Sequence, residues 1–270
     1  MTAPTLLTSF QAQYLEERMT FAGQHWRFRQ TTPGAPVLLA LPGALGTGDI
    51  FYRTAAHFSA RYNVVTVGYP ECGDNPAMAE ALAALLDRLA CTEAIVLGSS
   101  LGGYLAQCFA LAYPARVRLL VLGNTFRDPT SQQTRWPPAA TFADTPAVTV
   151  LQEARARLLA GRADTAPAAE LKATLLALVG TVQSAEGVKA QRLAVLRAMP
   201  LPAVALDRRK IAVLDDDQDP VIAPETRADL RQTYADCRHL CIADGGHYPS
   251  VLAPAAYHAA LDTFLTEVLC

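Results

Sequence analysis

A serine at position 100 lies in a sequence context that can make its hydroxyl a nucleophile. Residues 98–102 have the pattern Gly-x-Ser-x-Gly, between the apolar run 94–97 and a helical pattern. A sharp strand-to-helix turn presents the central side chain at a sheet edge, where small neighbours prevent clashes. The backbone N–H of Leu101 then points at the oxyanion that forms when the hydroxyl attacks a carbonyl. We predict that Ser100 is the nucleophile; the adjacent Ser99, at a variable position of the pattern, is the competitor.

A base must take the proton of a serine hydroxyl before the oxygen can attack. Among five histidines, His247 lies in the loop 244–249, directly after the last predicted strand. Functional groups of open α/β sheets gather at the carboxyl ends of strands, and the chain order serine, acid, histidine also fits. We predict that His247 is the base. The remaining histidines are interpreted as structural or surface residues: His25, His57, His239 and His258.

The base needs an acid that orients the imidazole and stabilises its charged form. Four aspartates follow the predicted strand 211–214, namely Asp215, Asp216, Asp217 and Asp219. Asp219 precedes the stretch 220–224, in which two prolines fix a turn and apolar side chains anchor it. We predict that Asp219 is the acid. Asp216 is the second choice, and Asp128, after the preceding strand, is a further alternative.

The loop after the apolar run 36–41 has the sequence Pro42-Gly43-Ala44. We predict that the backbone N–H of Ala44 is a second oxyanion donor beside that of Leu101. Loss of one such donor typically costs about 3–4 kcal/mol in the transition state. This loop therefore matters although it has no reactive side chain.

Apolar runs that alternate with helical patterns predict the architecture that would position these groups. Strands are predicted at 24–30, 36–41, 64–67, 94–98, 117–122, 211–214 and 239–243, and helices at 49–61, 76–89, 102–113, 224–234 and 253–268. This alternation is typical of a parallel sheet with right-handed crossovers.

The pattern changes between about residues 126 and 206, where Pro-rich loops precede helices at 149–159, 168–178 and 187–199. We interpret this segment as a helical lid inserted at the carboxyl edge of the sheet. The prediction is one α/β domain over residues 1–270, with a mostly parallel central sheet and helices on both faces.

Composition excludes several classes of function. The chain is 51% hydrophobic and 18% charged, which supports a buried core and argues against disorder. A net charge of −2 gives no general attraction to nucleic acid or anionic lipid. Residues 1–20 lack the apolar stretch of a secretory signal, and no run is long enough for a membrane span. We expect a cytoplasmic protein without a nucleic-acid partner.

The cysteines do not indicate a metal site. They are Cys72, Cys91, Cys108, Cys237, Cys241 and Cys270, and none forms a Cys-x-x-Cys pair. Cys237 and Cys241 flank His239, but no second ligand pair follows at the spacing of a structural zinc site. We predict neither metal nor cofactor, and expect small buried hydrophobic residues and free thiols instead.

Three stretches resemble the α/β-hydrolase superfamily, and the maspardin-like family in particular: LPGALGTGDIF at 41–51, GSSLGGYLAQ at 98–107 and GGHYP at 245–249. The resemblance covers nearly the whole chain and implies an α/β-hydrolase fold with a Ser-His-Asp triad. Maspardin-like proteins of animals are adaptor-like binding proteins, which implies a protein partner, and their final-loop histidine can be absent. His247 is retained here, which favours catalysis. Pro42 stands where the superfamily commonly has a histidine.

These observations favour hydrolysis of a carboxylic ester, thioester or related acyl bond. The alternatives are a non-catalytic binding protein, or a carbon–carbon hydrolase, lactonase or perhydrolase that uses the same triad. Because the inserted segment is rich in Ala, Leu and Val, we expect an apolar acyl substrate. Four cations are candidates for holding a carboxylate instead: Lys172, Lys189, Arg208 and Arg209. The sequence predicts no oligomeric state.

Overall fold

Eight strands form one sheet in the computed structural model, which describes residues 4–269. The strands are β1 (Glu17–Phe21), β2 (Gln24–Gln30), β3 (Val37–Leu41), β4 (Asn63–Gly68), β5 (Ala94–Ser99), β6 (Val117–Gly123), β7 (Ile211–Asp215) and β8 (Arg238–Cys241). Their order in the sheet is β1-β2-β4-β3-β5-β6-β7-β8. β2 pairs antiparallel with β1 and β4, whereas the other pairs are parallel. The predicted mostly parallel sheet is confirmed.

Helices connect most of these strands. They are α1 (Thr5–Gln13), α2 (Tyr52–Phe58), α3 (Asn75–Arg88), α4 (Leu101–Ala112), α5 (Thr130–Gln133), α6 (Ala139–Ala143), α7 (Ala147–Ala160), α8 (Ala166–Leu178), α9 (Ala185–Leu196), α10 (Pro224–Thr233), α11 (Pro249–Leu252) and α12 (Pro254–Leu269). Short 3-10 helices occupy Gly48–Phe51, Pro114–Arg116 and Arg208–Lys210. The predicted helix 49–61 is thus a 3-10 turn followed by α2.

The core lies on both faces of the sheet because successive strand residues point in opposite directions. On β3, Leu39 packs in one cluster with Leu82 of α3, together with residues of α4. The next residue along, Ala40, packs in the opposite cluster with Phe264 of α12 and with residues of α1 and α2. Helices therefore cover both faces, as the continuous apolar runs predict.

Five helices, α5 to α9, lie between β6 and β7, where the sequence predicts a helical insertion. They contribute to a small apolar cluster of their own, which includes Phe142, Val150, Val188 and Leu196. We refer to α5–α9 as the helical insertion. The two shortest, α5 and α6, have too few residues for a helical period to be recognised in the sequence.

The sequence also failed to predict α1 and β1. β1 is an edge strand that pairs with β2, and of its five residues Met19 alone is buried. An edge strand of this kind lacks the apolar run that marks a buried strand. α1 buries only Leu7 and Phe10, so its periodic signal is weak.

Four of the described cysteines are half-buried free thiols, and Cys241 is an exposed free thiol at the end of β8. Cys270 lies outside the described residues. Within residues 4–269, His, Cys, Asp and Glu form no group of three or more that could hold a metal ion. Over the same range, no helix combines the length and the apolar character that crossing a bilayer requires.

His258 is a buried histidine that makes folding stability depend on pH. Its ring stacks on that of His57 with 4.6 Å between centroids, and His57 Nε2 lies 2.7 Å from Asp262 Oδ2. Burial, with the charges of His57 and Arg53 and against that of Asp262, lowers the pKa of His258 to about 4. An unfolded histidine titrates near 6.5, so between these values the unfolded chain binds the extra proton. Stability therefore falls as the pH drops through this window.

We expect the His258 contribution to lower the free energy of unfolding by about 2 kcal/mol between pH 7 and pH 5. Urea unfolding of the wild type and of His258→Leu at both pH values measures it, because the variant lacks the titrating group. His25→Gln, which changes an exposed histidine of β2, is the control and should retain the full pH dependence. Equal pH dependence of His258→Leu and the wild type would contradict this account.

Candidate active site

Ser100 lies in the turn between β5 and α4, at the carboxyl edge of the sheet. Its φ of 55° and ψ of −122° are values that a residue with a side chain rarely adopts, and such strain costs about 1–3 kcal/mol. Hydrogen bonds hold the turn. The Ser100 N–H donates to Gly123 O at 3.0 Å, and Ser100 O accepts from the N–H groups of Gly103 and Tyr104 and from the Thr125 hydroxyl.

The two glycines of the motif are required by close packing around this turn. A Cβ on Gly102 would lie 2.0 Å from Leu41 O, and one on Gly98 would lie 2.2 Å from Gly102 O. These distances are far below any contact that real Cβ atoms make, so no side chain fits at either position. The glycines thus allow α4 to start directly against β3 and β5, with Ser100 at the corner.

His247 lies in the loop after β8, and its side chain is nine-tenths buried. Its Nδ1 lies 2.9 Å from Asp219 Oδ2 and 3.1 Å from Oδ1, so Nε2 is the ring nitrogen left for another partner. His247 and Ser100 line the same cavity. Among the hydrogen bonds of residues 4–269, none joins the Ser100 hydroxyl to His247, and such bonds often tighten only when substrate binds.

Asp219, the acid predicted from the sequence, is only 6% exposed and its carboxylate is fully engaged. Besides His247, it accepts from the N–H groups of Val221 at 2.7 Å and Ile222 at 3.2 Å, and from Asn124 Nδ2 at 2.8 Å. Burial alone raises the pKa of Asp219, but the hydrogen bonds and charge of these partners outweigh it and hold the pKa below its usual value. The carboxylate is therefore ionised at neutral pH, when it favours a proton on His247 Nδ1.

In the described part of the chain, the side chains of the other candidate aspartates have partners other than His247. Asp215 and Asp217 form ion pairs with Arg231. Asp128 accepts from the N–H and the hydroxyl of Thr130. Of the five candidate aspartates, only Asp219 is brought to the imidazole.

Asp216 and Asn124 hold the loop that carries His247. Asp216 Oδ2 accepts from the Gly246 N–H at 2.7 Å, and Asn124 Nδ2 donates to Gly246 O at 2.8 Å. Asn124 thus bridges this loop and Asp219. Sequence reasoning missed it, although its place directly after a buried strand at the carboxyl edge of the sheet is the available signal.

One predicted oxyanion donor belongs to the residue that follows Ser100, and the other belongs to a residue that lines the same cavity. Leu101 is the first residue of α4, where a backbone N–H has no acceptor within its own helix. Ala44, in the loop after β3, lines the same cavity as Ser100. The Tyr69 hydroxyl donates to Pro42 O at 2.8 Å and fixes the start of this loop.

Two cavities meet at the candidate nucleophile. The first, of about 190 Å³, is lined by Ser100 and His247 and by apolar side chains that include Ile50, Phe51 and Leu214. The second, of about 300 Å³, extends between the sheet edge and the helical insertion. Both are lined by the same five residues, Ala44, Leu45, Ser100, Val221 and Tyr248. The two cavities therefore adjoin each other at Ser100.

Residues 37–260 match the family described as "Alpha/beta hydrolase family". The chain belongs to this family. Human maspardin is 25% identical over 238 residues, which cover 85% of this chain and 75% of maspardin. A hydrolase of Burkholderia vietnamiensis named for 2-hydroxy-6-oxononadienedioate and 2-hydroxy-6-oxononatrienedioate is 34% identical over 109 residues, 35% of this chain and 38% of that protein. A thermophilic esterase from Thermogutta terrifontis has the same fold, with a TM-score of 0.72 at 22% identity over 95% of this chain and 99% of the esterase.

Membership of the alpha/beta hydrolase family confirms the fold class and the resemblance found in the sequence, including its maspardin-like character. It also supports hydrolysis as the general class of reaction.

The cations that the sequence suggested for holding a carboxylate have other partners and do not line the two cavities. Lys172 Nζ donates to Leu159 O and Gly161 O, and Lys189 Nζ donates to Ala143 O.

The two arginines suggested for the same role are likewise not among the residues that line either cavity. Arg209 pairs with Asp207, and Arg208 lies over the Tyr234 ring.

Proposed function

We propose that this protein is a serine hydrolase that cleaves a carboxylic ester, thioester or related acyl bond through an acyl-enzyme on Ser100. The observation that carries this proposal is the buried pair of His247 and Asp219, in which His247 lines the same cavity as Ser100. A non-catalytic fold has no need to keep a histidine and an ionised carboxylate together behind a strained serine. The apolar wall of the first cavity supports an apolar group next to the reacting carbonyl.

Each group has one role in the proposed reaction. The Ser100 oxygen attacks the carbonyl carbon while His247 Nε2 takes its proton, and Asp219 stabilises the imidazolium. The N–H groups of Leu101 and Ala44 stabilise the tetrahedral oxyanion. The imidazolium then protonates the leaving alcohol or thiol, and an acyl ester remains on Ser100. Water, activated by the same imidazole, attacks this ester and releases the acid and the free serine.

A binding protein without turnover is the alternative of a different class, favoured by the 25% identity to human maspardin. Hydrolysis of p-nitrophenyl butyrate and of a butyryl thioester distinguishes the two. We expect turnover of at least one of them that depends on Ser100, with Ser100→Ala as the background. A protein that folds, as judged by its melting curve, yet hydrolyses neither would support the binding protein and contradict the proposed function.

Carbon–carbon hydrolysis on the same residues is the second enzymatic candidate, because the Burkholderia vietnamiensis hydrolase is 34% identical over part of the chain. In this reaction the bond from the acyl carbon to a neighbouring carbon breaks, and the leaving group is protonated on carbon instead of being released as an alcohol or thiol. A vinylogous diketone added to the same assay separates this reaction, since faster cleavage of the diketone than of either acyl substrate would favour it.

A further inference from the structure

A group of arginines lines the second cavity around an indole ring. Arg135, Arg157 and Arg192 are among its lining residues, together with Trp136. The guanidinium carbon of Arg192 lies 4.3 Å from the centre of the Trp136 ring, and that of Arg157 lies 4.8 Å from it. Cation–π contacts of this kind hold two positive charges close together.

Nothing in the described part of the chain neutralises these charges by direct contact. None of the three guanidiniums has a carboxylate partner among the ion pairs of residues 4–269. The described residues that line the second cavity include no aspartate or glutamate. By contrast, the buried guanidinium of Arg29 lies 2.9 Å from the carboxylate of Asp49.

Among these three arginines, Arg192 is the one whose charged side chain this arrangement destabilises most. Its Nη1 is buried and has no hydrogen-bond partner. Burial and the charge of Arg157, against a smaller effect of Glu153, lower the pKa of Arg192 to about 10. A buried donor without an acceptor is destabilising, and an anion that accepts from it would offset both the missing hydrogen bond and the repulsion between the arginines.

We infer that the second cavity binds an anionic group, a carboxylate or a phosphate, on the same substrate whose reacting carbonyl lies at Ser100. This inference rests on the proposed function. Because both cavities are lined by Ser100, Ala44 and Leu45, one molecule can reach from the reacting carbonyl to the arginines. Apolar residues of the insertion line the same cavity, including Leu158, Leu175, Val188 and Val195.

The substrate class is therefore an acyl compound with an apolar body and a negative charge at its far end. An ester or thioester of an aliphatic dicarboxylic acid that keeps one free carboxylate has this chemistry. The inference departs from the sequence-based expectation of an apolar acyl group in preference to a charged one, because three arginines line the second cavity together with its apolar residues. It also replaces the four cations that the sequence suggested for a carboxylate by a different set.

A pair of matched substrates tests the preference for charge. Mono-p-nitrophenyl adipate carries a terminal carboxylate, whereas p-nitrophenyl hexanoate has the same acyl length and no charge. We expect Arg192→Gln and Arg157→Gln to lower kcat/KM for the adipate ester about tenfold or more, mainly through KM, and to change that of the hexanoate ester less than about twofold. Arg197→Gln removes an exposed charge at the end of α9, away from both cavities, and should affect neither substrate.

Binding without turnover gives an independent readout. Trp136 and Trp26 are the two tryptophans, and Trp26 is buried in the core. Adipate titrated into the Ser100→Ala variant should change the Trp136 fluorescence in a saturable way, and a Trp136→Phe variant should lose the signal. The added Arg192→Gln change should weaken binding about tenfold. Because exposed charges are screened, added NaCl should weaken it as well. A melting curve of each variant is the test that it folds.

The outcomes separate this inference from the proposed function. Hydrolysis of both esters with no effect of the arginine variants, and no saturable binding of adipate, would overturn the anionic site and leave the serine hydrolase intact. Adipate binding that depends on Arg192, in a protein that hydrolyses neither ester, would keep the anionic site and contradict the proposed function.

Discussion

Replacing Ser100 by alanine is expected to lower kcat for p-nitrophenyl butyrate by at least about 10⁴-fold and to leave KM within a few-fold. The change removes only the oxygen that would form the acyl-enzyme. The cavity walls and the two N–H donors stay in place, so binding of the ester should persist. Steady-state kinetics of the two proteins at equal concentration measure the effect.

Ser99→Ala is the matched control for this prediction. Ser99 precedes Ser100 in the turn and lines the first cavity as well. It lies at the end of β5, before the strained position, and we expect its loss to change kcat less than about tenfold. If Ser99→Ala abolished turnover while Ser100→Ala retained it, the assignment of the nucleophile would be wrong.

Replacing Asp219 by asparagine is expected to lower kcat by about 10³–10⁴-fold. The carboxylate accepts from His247 Nδ1, and an amide of the same shape would present an NH₂ group on one side. That favours the imidazole tautomer with the proton on Nε2, which cannot take the proton of Ser100. Because the pKa of Asp219 lies below its usual value, the carboxylate is ionised at neutral pH, where the two proteins are compared.

Asp216→Asn is the control that separates an acid in contact with the base from a residue that positions its loop. Asp216 Oδ1 accepts from the Gln218 N–H and Oδ2 accepts from the Gly246 N–H, and the single side-chain oxygen of an asparagine can keep one of these two bonds. We expect a loss of kcat below about tenfold for Asp216→Asn and no loss for Asp128→Asn. A loss for Asp216→Asn as large as that for Asp219→Asn would reject Asp219 as the partner of His247.

Local sequence was sufficient to predict the turn that carries Ser100. The buried strand β5 is a continuous apolar run, and the glycines on both sides of the serine mark a turn that no other residue permits. The position of His247 followed from the end of the last strand, because parallel strands bring their carboxyl ends to one edge. Asp219 stood out among its neighbours since prolines fix the chain that follows it.

Contacts between distant segments could not be predicted in the same way. Asn124 holds the loop of His247 only because β6 and β7 are neighbours and their ends meet the chain after β8. Arg157 and Arg192 come together through the packing of α7 and α9 around Trp136. Composition showed only that the insertion is apolar, because a few charged residues do not alter its average.

Reaction with a fluorophosphonate, followed by mass spectrometry of the labelled peptides, tests the central claim most directly. The account predicts one adduct, on Ser100, that disappears in Ser100→Ala and forms much more slowly in His247→Ala. A folded wild-type protein that carries no adduct, or carries it on Ser99 or another residue, would contradict an activated serine at this turn.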